Sequence, residues 1–167
     1  MPWVRRIEAR DREWAAEVLT RSWGSTRVVS RGRLHDALAL PGLVAGLGDE
    51  RAGLLIWSAE GEECEVVTLN SLVERRGVGR ALLAAVAGEA TALGCRRLWL
   101  ITTNDNVHAL RFYQRLGWDL VALHRGAVDA ARLLKPEISR IGLDGIPLRH
   151  ELELELPLSD SARRSPA

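Results

Sequence analysis

The sequence predicts an α/β chain of the α+β kind: a mixed, mostly antiparallel, twisted central sheet of about seven strands flanked by helices. Three observations predict it. The apolar runs "LVAGL" from Leu43, "AGLLIWS" from Ala52 and "CEVVTL" from Cys64 are separated only by the turn signals Gly48-Asp49 and Glu60-Gly61, so they pair as an antiparallel meander. A long helical pattern then runs straight into "RLWLIT", residues 97–102, whose lack of alternation belongs to a strand covered on both faces. Near the end, "RHELELELPL" alternates Leu and Glu with period two, the pattern of a strand with one solvated face.

The elements follow in order. "WVRRIEA", residues 3–9, reads as a short strand, and Asp11 is placed to cap "REWAAEVLTRSW", where Trp14, Val18 and Leu19 share one helical face. Residues 25–40 read two ways, with "TRVVS" extended and "LHDALAL" able to turn once or twice as a helix. After the meander, Ala81, Leu82, Leu83, Val86, Ala87, Ala90 and Leu93 give one apolar helical face that ends at Gly94, a C-cap. "NDNVHALRFYQRLGW" is a second helix closed by Gly117; "WDLVALH" is a strand, "AVDAARLL" a short helix and "LDGIP" a turn.

Composition narrows the function classes. With 167 residues, 47% hydrophobic, 27% charged and a net charge of +1, the chain reads as one domain over residues 1–158 and carries no general polyanion-binding charge, so no nucleic acid partner is expected. Residues 159–167 are polar and aperiodic, an expected disordered tail. Cys64 and Cys95 lie beside apolar runs without metal-ligand spacing; they read as reduced, buried thiols in a cytoplasmic protein with no metal. No window approaches the roughly 20 apolar residues of a membrane span, and "MPWVRRIEARDREW" has no apolar export core.

The stretch "ERRGVGRALL", residues 74–83, opens its helix against the usual rules. A helix start carries unpaired N–H groups and about half a positive charge, so Ser, Thr, Asp or Asn normally caps it. Here two glycines stand in that place, and Arg75, Arg76 and Arg80 crowd the positive end. Bare N–H groups, an open glycine turn and guanidinium groups together suit a phosphate; for Gly-x-Gly alone, a solvated loop with special dihedral angles is the plainer reading. No Gly-Lys-Ser/Thr follows and the third glycine of the dinucleotide fingerprint is absent.

In "LNSLVERRGVGRALL" and "NDNVHALRFYQRLGW" the sequence resembles the GNAT-type N-acetyltransferase superfamily. The first stretch is similar to that family's strand, Gln/Arg-x-x-Gly-x-Gly/Ala loop and helix. The second is similar to its Asn-x-x-Ala-x-x-x-Tyr-x-x-x-Gly-Phe segment. Glu74 departs from the pattern, standing where the family usually has Gln or Arg, at a position that meets phosphate mainly through backbone. The resemblance implies transfer of an acetyl group from acetyl-CoA, the co-substrate, to a primary amine by direct attack in a ternary complex. It implies a pyrophosphate held by the backbone of Arg75, Arg76, Gly77, Val78, Gly79 and Arg80. It further implies a pantetheine arm bound by a bulged, splayed strand end at Leu69, Asn70, Ser71 and Leu72, a cofactor contact from Asn106, and the Tyr113 hydroxyl near the thioester sulfur. A homodimer is compatible with it.

The implied reaction needs a neutral amine, a donor for the developing oxyanion and an acid for the departing thiolate. Glu65, six residues before Ser71, matches the glutamate that some family members use as general base; the alternative is an exposed strand carboxylate beside Glu62 and Glu63. Tyr113 is the candidate acid, with a core aromatic three residues after Leu110 as its alternative. His108 and Asp105 are either further bases or polar caps. Arg31, Arg33 and His35 in "SRGRLHD" either line a pocket for a carboxylate-bearing acceptor or form a solvated charge run. A catalytically silent acyl-CoA sensor and a transferase of another acyl group are the competing functions.

Overall fold

The computed structural model describes residues 1–158, so the tail expected at 159–167 lies outside the described residues. The elements run β1 (Trp3–Arg6), α1 (Arg12–Trp23), β2 (Arg27–Ser30), β3 (Arg33–Asp36), β4 (Gly42–Leu47), β5 (Glu50–Glu60), β6 (Glu63–Ser71), α2 (Val78–Ala92), β7 (Arg97–Thr103), α3 (Val107–Arg115), β8 (Asp119–His124), α4 (Ala127–Leu134) and β9 (Glu151–Pro157). Seven strands form one sheet in the order β1-β4-β5-β6-β7-β9-β8, while β2 and β3 make a separate hairpin. Neighbours are antiparallel except β6 and β7, whose parallel pairing follows from the crossover through α2.

The sheet separates two cores. On one face, here the back, Leu82, Val86 and Ala90 of α2 pack with Leu55, Cys64, Val66 and Leu98, together with Tyr113 and Trp118. On the front face, Ala15, Val18 and Leu19 of α1 pack with Leu54, Ile56 and Val67, together with Val28 of the hairpin. Gly53 seats α2 on the sheet: a Cβ there would stand 2.4 Å from Val78 Cγ1 and 2.9 Å from Leu82 Cδ1. Both cysteines are free and buried as expected, and burial pushes the Cys64 thiol up to about 12, so it stays unreactive.

Residues 25–40 resolve to the β2–β3 hairpin and a 3-10 turn, Ala37–Ala39. Arg31 and Gly32 form the hairpin turn with φ of 47° and 73°; "RLHD" is therefore strand, not helix. The alternating strand also departs from expectation, because Glu151 and Glu153 of β9 are buried and not solvated. β9 lies between β7 and β8, and the hairpin turn reaches over it: the Arg31 N–H donates to Glu151 Oε2 at 3.1 Å.

Asp11 is a further correction. It sits in a 3-10 turn, Ala9–Asp11, and makes no side-chain cap bond to α1. Its buried carboxylate instead accepts from Arg5 Nη1 at 2.6 Å, Arg5 Nη2 at 2.9 Å and the Glu8 N–H at 2.9 Å, since a bidentate guanidinium outcompetes a single cap bond. The Arg5 guanidinium holds this carboxyl well below the usual carboxylate range. With the folded value depressed, the stabilisation is present above the unfolded value of about 3.9 and is lost as pH falls through the folded value. Asp11→Asn is expected to cost about 1–3 kcal/mol at neutral pH and progressively less in acid, as read by urea denaturation across pH.

Candidate active site

The start of α2 is open. Arg75 and Gly77 both take positive φ, 57° and 76°, and no side chain caps the helix. The first bond into the helix runs from the Ala81 N–H to the Gly77 carbonyl at 3.0 Å; among the described residues no acceptor pairs with the N–H groups of Gly77, Val78, Gly79 or Arg80. Left-handed residues on either side of Arg76 turn successive N–H groups into one concavity, and Arg75, Arg76 and Arg80 stand exposed around it. Gly79 has a packing role. A Cβ at this buried position would stand 3.1 Å from Phe112 Cζ, so its absence lets α3 approach α2.

A fork opens beside this cradle. β6 and β7 pair only through Glu63 with Arg97, Cys64 with Leu98 and Glu65 with Trp99, although β6 continues to Ser71 and β7 to Thr103. The parting follows a bulge: Ile56 pairs with Thr68 and Trp57 with Val66, which leaves Val67 as the extra residue of β6. The Leu72 N–H is spent on the Ala52 carbonyl at 2.8 Å and so points toward β5. By strand alternation the backbone groups of Leu69 and Ser71 point the other way, into the gap. The Asn70 side chain is turned to α1, donating to Ser22 Oγ at 2.8 Å.

On the back face, Asn106 caps α3, its Oδ1 accepting from the Ala109 N–H at 3.1 Å. Tyr113 lies one helical stretch further along α3, its ring against Phe112 at 5.2 Å and Trp118 at 5.5 Å between centroids. Burial holds its phenol well above the usual range, so it remains an O–H donor. On the front face at the apex of the fork is Glu65, only 6% exposed while Glu62 and Glu63 are exposed. Its Oε2 is 3.3 Å from His35 Nε2 of the hairpin.

The other charged candidates are already engaged. Arg31 stacks 4.8 Å from the Trp99 ring centre with Nε 3.5 Å from Glu153, and Arg33 pairs with Glu60 at 2.8 Å. Asp105 is an anchor: it accepts from the Leu143 N–H at 2.8 Å and from the Thr103 hydroxyl, while Asn104 accepts from the Arg149 and His150 N–H groups at 2.9 Å each. With Lys135 Nζ donating to the Trp23 and Arg27 carbonyls at 2.6 and 2.8 Å, these bonds fasten the segment between β8 and β9 beside the hairpin. Sequence reasoning missed Ser30, Thr68 and Glu151, which join Glu65 and His35 under that hairpin. Their only signal was polarity on otherwise apolar strands.

A family model described as the acetyltransferase (GNAT) family matches residues 9–118. Two proteins of Bacillus subtilis (strain 168) are similar over most of their length. YdhI is 36% identical over 137 residues, 81% of this chain and 86% of its own; YxbD is 38% identical over 134 residues, 79% and 84%. A Bacillus subtilis acetyltransferase solved in complex with CoA shares the fold, with a TM-score of 0.73 and 21% identity over 95% of this chain and 100% of that one.

Proposed function

Because the chain belongs to the acetyltransferase (GNAT) family and is an acetyl-CoA-dependent N-acetyltransferase, we propose that its forked strands carry the acetyl thioester from the α2 cradle to a primary amine beside Glu65. The observation that carries this reading is the placement of two unsatisfied features on opposite sides of one gap. The bare N–H groups of the α2 start lie on the back face, and the buried Glu65 carboxylate lies at the apex on the front. Acetyl-CoA supplies the activated acyl group.

The residues then divide the work. The N–H groups of residues 75–80 and the flanking arginines hold the pyrophosphate, and the backbone of Leu69 and Ser71 holds the pantetheine amides in extended form. Glu65 takes a proton from the acceptor ammonium, freeing the lone pair that attacks the thioester carbon. Attack leaves a second proton on the nitrogen, which passes to solvent; as the carbon–sulfur bond breaks, the Tyr113 hydroxyl gives its proton to the sulfur, amide and free thiol leave, and solvent reprotonates Tyr113 and takes the proton from Glu65. Asn106, which caps the start of α3, contacts the cofactor.

Acetyl-CoA at a hundredfold excess over Kd is expected to stabilise the folded chain by about 2.7 kcal/mol, with ATP and NADH doing much less. Thermal unfolding against ligand concentration measures it. Equal stabilisation by ATP would reduce the cradle to a generic nucleotide site.

A further inference from the structure

The hairpin closes over polar groups that find no hydrogen-bond partner among the described residues. Val28, Ser30 and His35 face the main sheet, since Val28 packs with Val67, Ser30 follows two residues along β2, and His35 is the cross-strand partner of Val28. Beneath them lie Glu65 and Thr68 of β6 and Glu151 of β9. Ser30 Oγ, His35 Nε2, Glu65 Oε1 and Thr68 Oγ1 are buried without a hydrogen bond, in residues that are each 6% exposed or less. Glu151 is 3% exposed and, among the described residues, accepts only the Arg31 N–H.

The nearby guanidinium groups are committed elsewhere, and what stands against Glu65 is the His35 imidazole, its Nε2 3.3 Å from Oε2. Arg97 binds Glu63, Glu153 and Glu155; Arg31 and His124 are held on Glu153. Among the described residues, that leaves Glu65 and Glu151 with no guanidinium of their own. Burial first, and then the Glu65 charge, pushes the Glu151 carboxyl upward, against the Arg31 N–H bond and the charges of His124 and Arg31. Buried carboxylates without a counter-charge are costly, and a ligand cation offsets that cost. An alkylammonium brings three N–H donors, which suits carboxylate and hydroxyl acceptors set around it. A metal ion suits them less, since among the described residues no three His, Cys, Asp or Glu side chains converge as ligands.

Resting on the acetyltransferase reading above, we propose that the acceptor is an alkyl diamine, its reacting nitrogen at Glu65 and its second cationic nitrogen at Glu151 beneath the β2–β3 hairpin. Acceptors of equal length ending in a carboxylate meet two carboxylates and, among the described residues, no free arginine, and those ending in a hydroxyl leave Glu151 without a cation.

The test follows CoA thiol release at saturating acetyl-CoA with 1,4-diaminobutane, 4-aminobutanol and 4-aminobutanoate. The diamine is expected to exceed the amino alcohol in kcat/KM by at least about tenfold and the amino acid by about a hundredfold. Glu151→Gln keeps an oxygen for the Arg31 N–H and is expected to bring the diamine to within about threefold of the amino alcohol, chiefly through KM. Equal wild-type kcat/KM for diamine and amino alcohol overturns the proposal, as does a preference that survives Glu151→Gln in a variant with the wild-type melting profile. Release with the amino alcohol or amino acid but not the diamine overturns it too and leaves the acetyltransferase reading standing. Failure of acetyl-CoA to stabilise the fold removes that reading itself. The wild-type ratio decides even where the variant does not fold.

Discussion

Glu65→Gln is expected to lower kcat at saturating acetyl-CoA by about 10²–10⁴-fold, with the deficit shrinking as pH rises toward the amine's own pKa of about 10.4. The substitution is nearly isosteric, so the packing beneath the hairpin survives; what is lost is the ability to take a proton. At high pH the acceptor sheds that proton to solvent and the base is no longer needed. The alternative weighed from sequence, a solvated strand carboxylate, does not describe this residue, which is 6% exposed with Oε2 3.3 Å from His35. Acetyl-CoA affinity should change little, because the cradle lies on the other face. Turnover within a few-fold of wild type at every pH would end the case for Glu65 as the base.

Tyr113→Phe is expected to leave acetyl-CoA binding nearly unchanged and to lower turnover by about 10²–10⁴-fold, or about 3–5 kcal/mol of barrier. Phenylalanine keeps the ring that meets Phe112 and Trp118 and removes only the oxygen. A loss confined to kcat is therefore the mark of an interaction made in the transition state. Burial raises the phenol above its ordinary value of about 10, so its neutral form is favoured by folding: that contribution is complete below the ordinary value and is lost as pH rises through the folded value. Accordingly the pH–rate profile should carry no Tyr113 limb in the neutral range. A variant rate within a few-fold of wild type would return Tyr113 to the role of core aromatic.

Much of the fold was legible because its signals are local. The meander of β4, β5 and β6 follows from apolar runs with turns between them. The helix ends at Gly94 and Gly117 follow from residues that tolerate the φ values of 81° and 88° found there. The α2 cradle was legible for the same reason, since a few consecutive backbone N–H groups make it and glycine and arginine mark it. Glu65 and Tyr113 were singled out through the resemblance, and neither spacing nor periodicity alone reaches them.

Where reading by pattern failed, the deciding partner was distant in sequence. Period two told that β9 sorts Glu from Leu, but not that the Glu face would be covered, because that depends on β9 entering between β7 and β8 and on a turn 120 residues away bonding to Glu151. Asp11 read as a cap until β1 brought Arg5 against it, and Arg31 read as pocket lining or part of a solvated charge run until Trp99 and Glu153 engaged it. The sequence by itself determined most of the elements, the sheet's meander and the uncapped, arginine-flanked helix start, since each depends on backbone geometry over a few residues. Only the tertiary structure decided which carboxylates are buried, which arginines are spent and where the fork opens, because burial and charge pairing are set by strand order and by what the hairpin covers.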